Sequence, residues 1–160
     1  MSKPPTLPVL EFLKQLVSGE VDAAAEIHMR YPTAISELLR FDIESVGAGT
    51  ASVRVRTDPA WHGNQQGTVH GGFLVELADA AIGTAHSTLM QPGETFTSID
   101  IRAAFLRPVW SDTLTATAWA PHRGNTITHY CCDVVRADGK VAATVTSTVM
   151  TLRGDAARGR

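Results

Sequence analysis

The sequence predicts an α+β domain in which an antiparallel sheet wraps around one long, mostly apolar helix. Two observations lead there. From Gly71 to His86 the chain reads GGFLVELADAAIGTAH, apolar on nearly every side and acidic only at Glu76 and Asp79, the pattern of a helix buried all round rather than a surface amphipath. After it come four alternating, β-branched-rich stretches separated by short turns, which favours strands laid next to one another in an antiparallel sheet.

The elements follow in order. Residues 8–18, PVLEFLKQLVS, place Val9, Phe12, Leu13, Leu16 and Val17 at helical spacing, with Pro8 suited to the first turn and Gly19 to the stop. DAAAEIHMR suggests a second helix ending before Pro32, since the residue before a proline leaves the α region. Residues 39–57 alternate around Gly47 and Gly49, as two strands joined by a glycine turn. Four more strands are expected at Thr95–Leu106, Thr113–Ala120, Thr126–Val135 and Val141–Leu152. Pro108, the stretch from Pro121 to Gly124, and Asp138-Gly139 divide them. The tail RGDAARGR is expected to be disordered.

Composition narrows the function. The 160 residues suit one domain. A net charge of −2, with 14 scattered Lys and Arg residues, provides no basic field for nucleic acid. No apolar run approaches the roughly 20 residues of a membrane span, and MSKPPTLPVLEF lacks a signal-peptide pattern, so a cytoplasmic protein without membrane association is expected. Cys131 and Cys132 are neighbours on a strand and point to opposite faces, which suits packing rather than pairing. The remaining histidines (His28, His62, His86, His122, His129) show no metal-ligand spacing. Neither a G-x-S-x-G elbow nor a glycine-rich phosphate loop occurs.

The turn Asn64-Gln65-Gln66-Gly67-Thr68-Val69-His70-Gly71-Gly72 leads into the helix that carries Asp79. Free N–H groups at a helix start, with glycines allowing close approach, make an electropositive seat for a carbonyl oxygen or anion. An acid on an otherwise apolar helix holds a partner, carries a raised pKa or does chemistry. The nine-residue step from His70 to Asp79 is about 13 Å of rise and half a turn, so Asp79 is not expected to share a site with Gly71 of its own chain; a second copy must supply it.

The run HGGFLVELAD, with Ser98-Ile99-Asp100 and Phe105-Leu106-Arg107-Pro108, resembles the hotdog-fold acyl-CoA thioesterases of the phenylacetic-acid-degradation (PaaI) type over residues 40–152. The resemblance implies a hotdog domain over residues 36–153, with a helical extension (1–35) before it and a flexible tail (154–160) after. It implies that Gly71 donates its amide to the thioester oxygen, that His70 and Asn64 position the reactants, and that Asp79 is general base or nucleophile. Gly72 falls at the substrate-binding turn, and Ser98 at a position that holds the water or carboxylate. Arg107 and Arg123 are candidate partners for the coenzyme phosphates. It further implies a homodimer with shared sites, paired into a homotetramer, and no cofactor or metal, coenzyme A being part of the substrate.

Two of these readings meet resistance from the residues themselves. If Ile99, Ile101, Ala103 and Phe105 face the helix, strand parity turns Ser98 and Asp100 away unless a bulge re-aims them. Glu76, three residues before Asp79, is expected in a salt bridge or in helix packing. Two other functions fit the same fold: a non-catalytic acyl-CoA-binding module, and an enoyl-CoA hydratase or dehydratase acting on the acyl chain.

Overall fold

The computed structural model describes residues 6–22 and 25–158. Helices α1 (Val9–Ser18) and α2 (Ala34–Leu39) precede strands β1 (Asp42–Gly47) and β2 (Thr50–Arg56). A single-turn helix α3 (Pro59–His62) and the long helix α4 (Gly71–Ser87) follow, then strands β3 (Thr95–Phe105), β4 (Thr113–Arg123), β5 (Ile127–Arg136) and β6 (Val141–Leu152). All six strands form one antiparallel sheet in the order β1-β2-β4-β5-β6-β3. Helix α4 lies across its concave face, with Leu74, Leu77, Ala78, Ala81, Ile82 and Ala85 packed among Val53, Leu114, Tyr130 and Val145. This is the wrapped-helix architecture expected from the pattern, and it is the hotdog fold.

The N-terminal extension departs from expectation. Residues 25–30 are not helical, because Leu7 N–H donates to Glu26 O at 2.8 Å and draws the segment into an extended bridge. The helix falls instead after Pro32, where the Thr33 hydroxyl caps Ser36 N–H at 3.2 Å. Helix α1 with Ile27, Met29 and Tyr31 makes a small second core around Val9, Phe12 and Leu13. In the tail, Gly154–Ala157 forms a 3-10 turn rather than the expected disorder. Strand β4 runs three residues past its expected end at Ala120 to Arg123, and an irregularity between Trp119 and His122 accommodates Pro121.

Helix α4 is not enclosed all round within one chain. Gly72, Val75, Glu76, Asp79, Ala80 and Gly83 share a stripe that is less covered than the opposite face. Strand β3, which brings Thr95 and Phe96 to the cavity beside that stripe, is a sheet edge, and its residues Ile99, Ile101 and Phe105 are exposed at 52%, 41% and 56%. Among the described residues no helix is long and apolar enough to cross a membrane.

Candidate active site

The site is built on the entry to α4. Asn64 closes the preceding turn: its side-chain oxygen accepts from Gln66 N–H at 2.9 Å and Thr68 N–H at 3.3 Å, and its amide nitrogen donates to the Thr68 hydroxyl at 3.0 Å. The chain then enters the helix at Gly71, as expected. His70 is the N-cap, and its Nδ1 accepts the Gly72 N–H at 2.9 Å. That bond occupies the Gly72 amide, whereas the Gly71 N–H has no acceptor among the described residues. No acidic side chain lies in the first turn to neutralise the positive end of the helix.

Both glycines are dictated by close neighbours. A Cβ at Gly71 would lie 2.9 Å from Cζ of Phe105, and one at Gly72 would lie 3.0 Å from the capping Nδ1 of His70. Gly71, Asn64 and Arg107 together line a cavity of about 420 Å³ under Phe105 and Leu106. Arg107 is partly committed there, donating to Val141 O at 2.7 Å. Arg123 lines a different cavity with His86 and Glu94, at the far end of α4, so within one chain the structure does not bring it to Gly71.

Asp79 lies in a third place. Its half-buried carboxyl lines a cavity of about 870 Å³ shared with Glu76, Phe41 and Phe96. Burial pushes its pKa up, and the nearby Ser98 hydroxyl pulls it part of the way back. That proximity resolves the parity conflict. Ser98 pairs with Val149 and Asp100 with Thr148, so Ile99 is the extra residue of a β-bulge. The bulge lets Ser98 and the later residues Ile101, Ala103 and Phe105 share the helix-facing side. Asp100 remains outside, its carboxylate accepting from Thr148 N–H at 2.8 Å.

No cation pairs with Asp79 among the described residues, so the reading of a structural acid held by an arginine finds no partner. Glu76, expected in a salt bridge or in helix packing, pairs with no cation among the described residues and lines the same cavity, its pKa raised first by burial and then by the Asp79 charge. The structure therefore presents two neighbouring carboxyls, both held above their ordinary pKa by burial. Their i, i+3 spacing on an apolar helix was the available signal for treating them as a pair. The segment around His28 and Tyr31, for which the sequence suggested no chemistry, forms another wall of this cavity.

A single chain thus keeps the free Gly71 N–H at the start of α4 and the Asp79 carboxyl in separate cavities. The sequence matches the thioesterase superfamily model over residues 66–143. A PaaI protein from the phenylacetic acid degradation operon of E. coli is similar in structure, with 30% identity and a TM-score of 0.71 over 77% of this chain and 87% of that one. A mutant phenylacetic acid degradation protein PaaI of Thermus thermophilus aligns with 28% identity and a TM-score of 0.68, over 74% of this chain and 98% of its own. A thioesterase of Haemophilus influenzae, at 24% identity and TM-score 0.72, covers 94% of both chains and supports the fold alone. In sequence, a Haemophilus influenzae protein provisionally named an esterase is 34% identical over 53% of this chain; the match spans 63% of that relative's length.

Proposed function

The chain belongs to the thioesterase superfamily, and from that premise we propose that it hydrolyses an aryl- or medium-chain acyl-CoA thioester to the free acid and coenzyme A. The observation that carries this reading is Asp79: a half-buried carboxyl without a cationic partner among the described residues, close to Ser98 and facing a cavity of mixed polar and apolar lining. A buried, unpaired acid costs stability, and such a costly group is a mark of a site that does chemistry. Relatives of 28–30% identity from phenylacetic acid degradation support the aryl choice.

In this reading the thioester carbonyl oxygen sits at the start of α4. The Gly71 N–H and the helix dipole stabilise the charge that develops on it. His70 holds the first turn in place through Gly72, and Asn64 holds the approach turn, with one amide hydrogen left to offer. Asp79 either attacks the carbonyl carbon or takes a proton from the attacking water, and Ser98 orients its carboxylate. Arg107, beside Gly71, meets the coenzyme phosphates. Arg123 joins them only where two protomers meet.

Asp79 must come from the neighbouring subunit of a homodimer. The two half-sites occupy separate cavities on one chain, and α4 presents Asp79 on the same stripe that adjoins the open β3 edge. Exposed Ile99, Ile101 and Phe105 and an unpaired row of backbone groups make that edge a natural seat for a second copy. Two antiparallel α4 helices would then bring Asp79 of each to Gly71 of the other, with dimers pairing further into a tetramer.

The test is thiol release from a panel of aryl-CoA and straight-chain acyl-CoA esters by the native protein and by Asp79→Ala. Release that collapses in the variant, with the oligomer intact, is expected. Near-normal release by the variant removes Asp79 from the chemistry. Binding of acyl-CoA without release by the native protein would replace hydrolysis with a carrier role, and hydration of an enoyl-CoA in place of release would move the chemistry to the acyl chain.

A further inference from the structure

The less covered stripe of α4 carries two acids among residues that are otherwise small or apolar, namely Gly72, Val75, Ala80 and Gly83. At about 100° per residue, Glu76 and Asp79 are about 60° apart around the helix and flank the middle of that stripe. Both are half-buried, and neither pairs with a cation among the described residues. Few charged or titratable groups face them from other elements. Asp42 of β1 adds a further carboxyl to the cavity wall, and His28, Arg30 and Tyr31 come from the segment before α2. The Tyr31 hydroxyl is committed to Ser87 Oγ at 2.8 Å, and Arg30 is exposed and forms no ion pair with either acid. Strands β2 and β3 bring only the uncharged Val53, Thr95 and Phe96.

A shared site fixes where these acids fall in a dimer. If Gly71 of each protomer meets Asp79 of the other across a two-fold axis, that axis passes at the level of residue 75, midway between them. The two Glu76 residues then lie one residue to either side of it, about 3 Å apart along the helix direction, and the two Asp79 residues about 12 Å apart. Glycine or alanine at positions 72, 80 and 83 lets the two helices approach closely. Four carboxyls thus line one seam, with the Glu76 pair at its centre, where the partner helix displaces the water that serves each in a separate chain. Carboxylates so placed do not all ionise, and the pair retains a proton. Within one chain, burial and the Asp79 charge already raise the Glu76 pKa, and pairing strengthens both causes.

We propose that the two Glu76 carboxyls meet at the two-fold axis and share a proton, one donating its O–H to the carboxylate of the other, so that assembly of the complete site is coupled to proton uptake. The inference rests on the shared-site thioesterase reading and gives Glu76 no part in the chemical step. A dimer that holds a proton more tightly than its separate chains forms most readily below the Glu76 pKa of the separate chain. It weakens as pH rises and levels off above the pKa of the pair. One proton changes the association constant by at most about tenfold per pH unit.

The experiment measures dissociation of the assembly to single chains, by sedimentation over a dilution series from pH 5 to pH 9 at fixed ionic strength. The native protein, Glu76→Gln and Glu76→Asp are compared, with thiol release followed in parallel. The native dissociation constant should rise with pH, by up to about tenfold per unit, before levelling off. Glu76→Gln keeps the shape without the charge, and should show a flatter dependence and the tighter dimer at pH 9. Glu76→Asp, which keeps the charge, should retain the dependence. Where the dimer is too tight to dissociate on dilution, subunit exchange between labelled and unlabelled protein reads the same difference, quickening with pH in the native protein and not in Glu76→Gln. Should Glu76→Gln fail to fold, Glu76→Ala supplies the uncharged comparison. An equal pH dependence with and without the charge, or an uncharged variant that dimerises less tightly at every pH, overturns the proposal. Single chains at every pH, with Asp79-dependent thiol release intact, overturn it together with the shared site. Thiol release from no ester, with the pH-dependent difference present, overturns the hydrolytic reading alone and supports the proton-linked dimer.

Discussion

Replacing Asp79 by Asn removes a charge while preserving shape, and it should move stability and activity in opposite directions. Burial raises the Asp79 pKa above its ordinary value, and Ser98 offsets only part of that rise. A carboxyl whose pKa is raised by folding binds its proton more tightly in the native state. Its contribution to stability is therefore fully present below the unfolded-state pKa, declines as pH rises, and levels off above the folded-state pKa. Asn carries no such penalty. The variant should match the native protein at low pH and be the more stable of the two at neutral pH. One proton limits the slope of the difference to about 1.4 kcal/mol per pH unit in the interval between the two pKa values, which for a domain of this size is about 3–5 °C in Tm. Glu76 adds to the effect in the same direction, since the Asp79 charge is one of the causes of its own raised pKa. Thermal or urea unfolding of both proteins from pH 3 to pH 8, at one fixed protein concentration, measures the difference. Thiol release by the variant should fall by about 10²–10⁴, the usual worth of a positioned base. An Asn variant that is less stable than the native protein at neutral pH, or whose stability difference does not vary with pH, refutes the idea that this carboxyl is held at a cost.

The remaining predictions concern the groups around it. Ser98→Ala deletes the hydroxyl that lowers the Asp79 pKa, so the acid limb of the kcat/KM profile should move to higher pH; a limb that stays in place removes Ser98 from the surroundings of the reacting carboxylate. His70→Ala removes the cap on Gly72 and should cost about 0.5–2 kcal/mol by chemical denaturation, with thiol release reduced but not abolished because the Gly71 amide remains. Leu77→Ala, at a side chain with no exposure beneath α4, should cost about 2–5 kcal/mol, read by the same denaturation while the acyl preference stays unchanged.

How much was legible beforehand varied with how local the cause was. The start of α4 at Gly71 and the span of β6 from Val141 to Leu152 agreed with expectation, because helix-start signals and period-two alternation act within a few residues. The segment 25–30 did not, since its helical composition lost to a backbone bond between Leu7 and Glu26, about twenty residues apart. Ser98 was legible only as a conflict between strand parity and family resemblance. The bulge at Ile99 resolved it, and nothing in TSID announces a bulge. Glu76 was expected in a salt bridge or in helix packing because sequence spacing relates it to Asp79 but says nothing of the cavity both face.

By itself the sequence determined a buried helix with two acids, a polar turn and glycines at its mouth, and an antiparallel sheet to receive it. Each of these depends on the periodicity or conformational preference of neighbouring residues. Only the tertiary structure decided which groups meet: that the Asp79 carboxyl lies by Ser98 and, among the described residues, pairs with no arginine, that Gly71 and Asp79 open into separate cavities, and that a strap from the N-terminal side, anchored by Tyr31 on Ser87, walls the larger one. Those meetings depend on how distant elements pack, and side chains dozens of residues apart become neighbours only when the sheet closes over the helix.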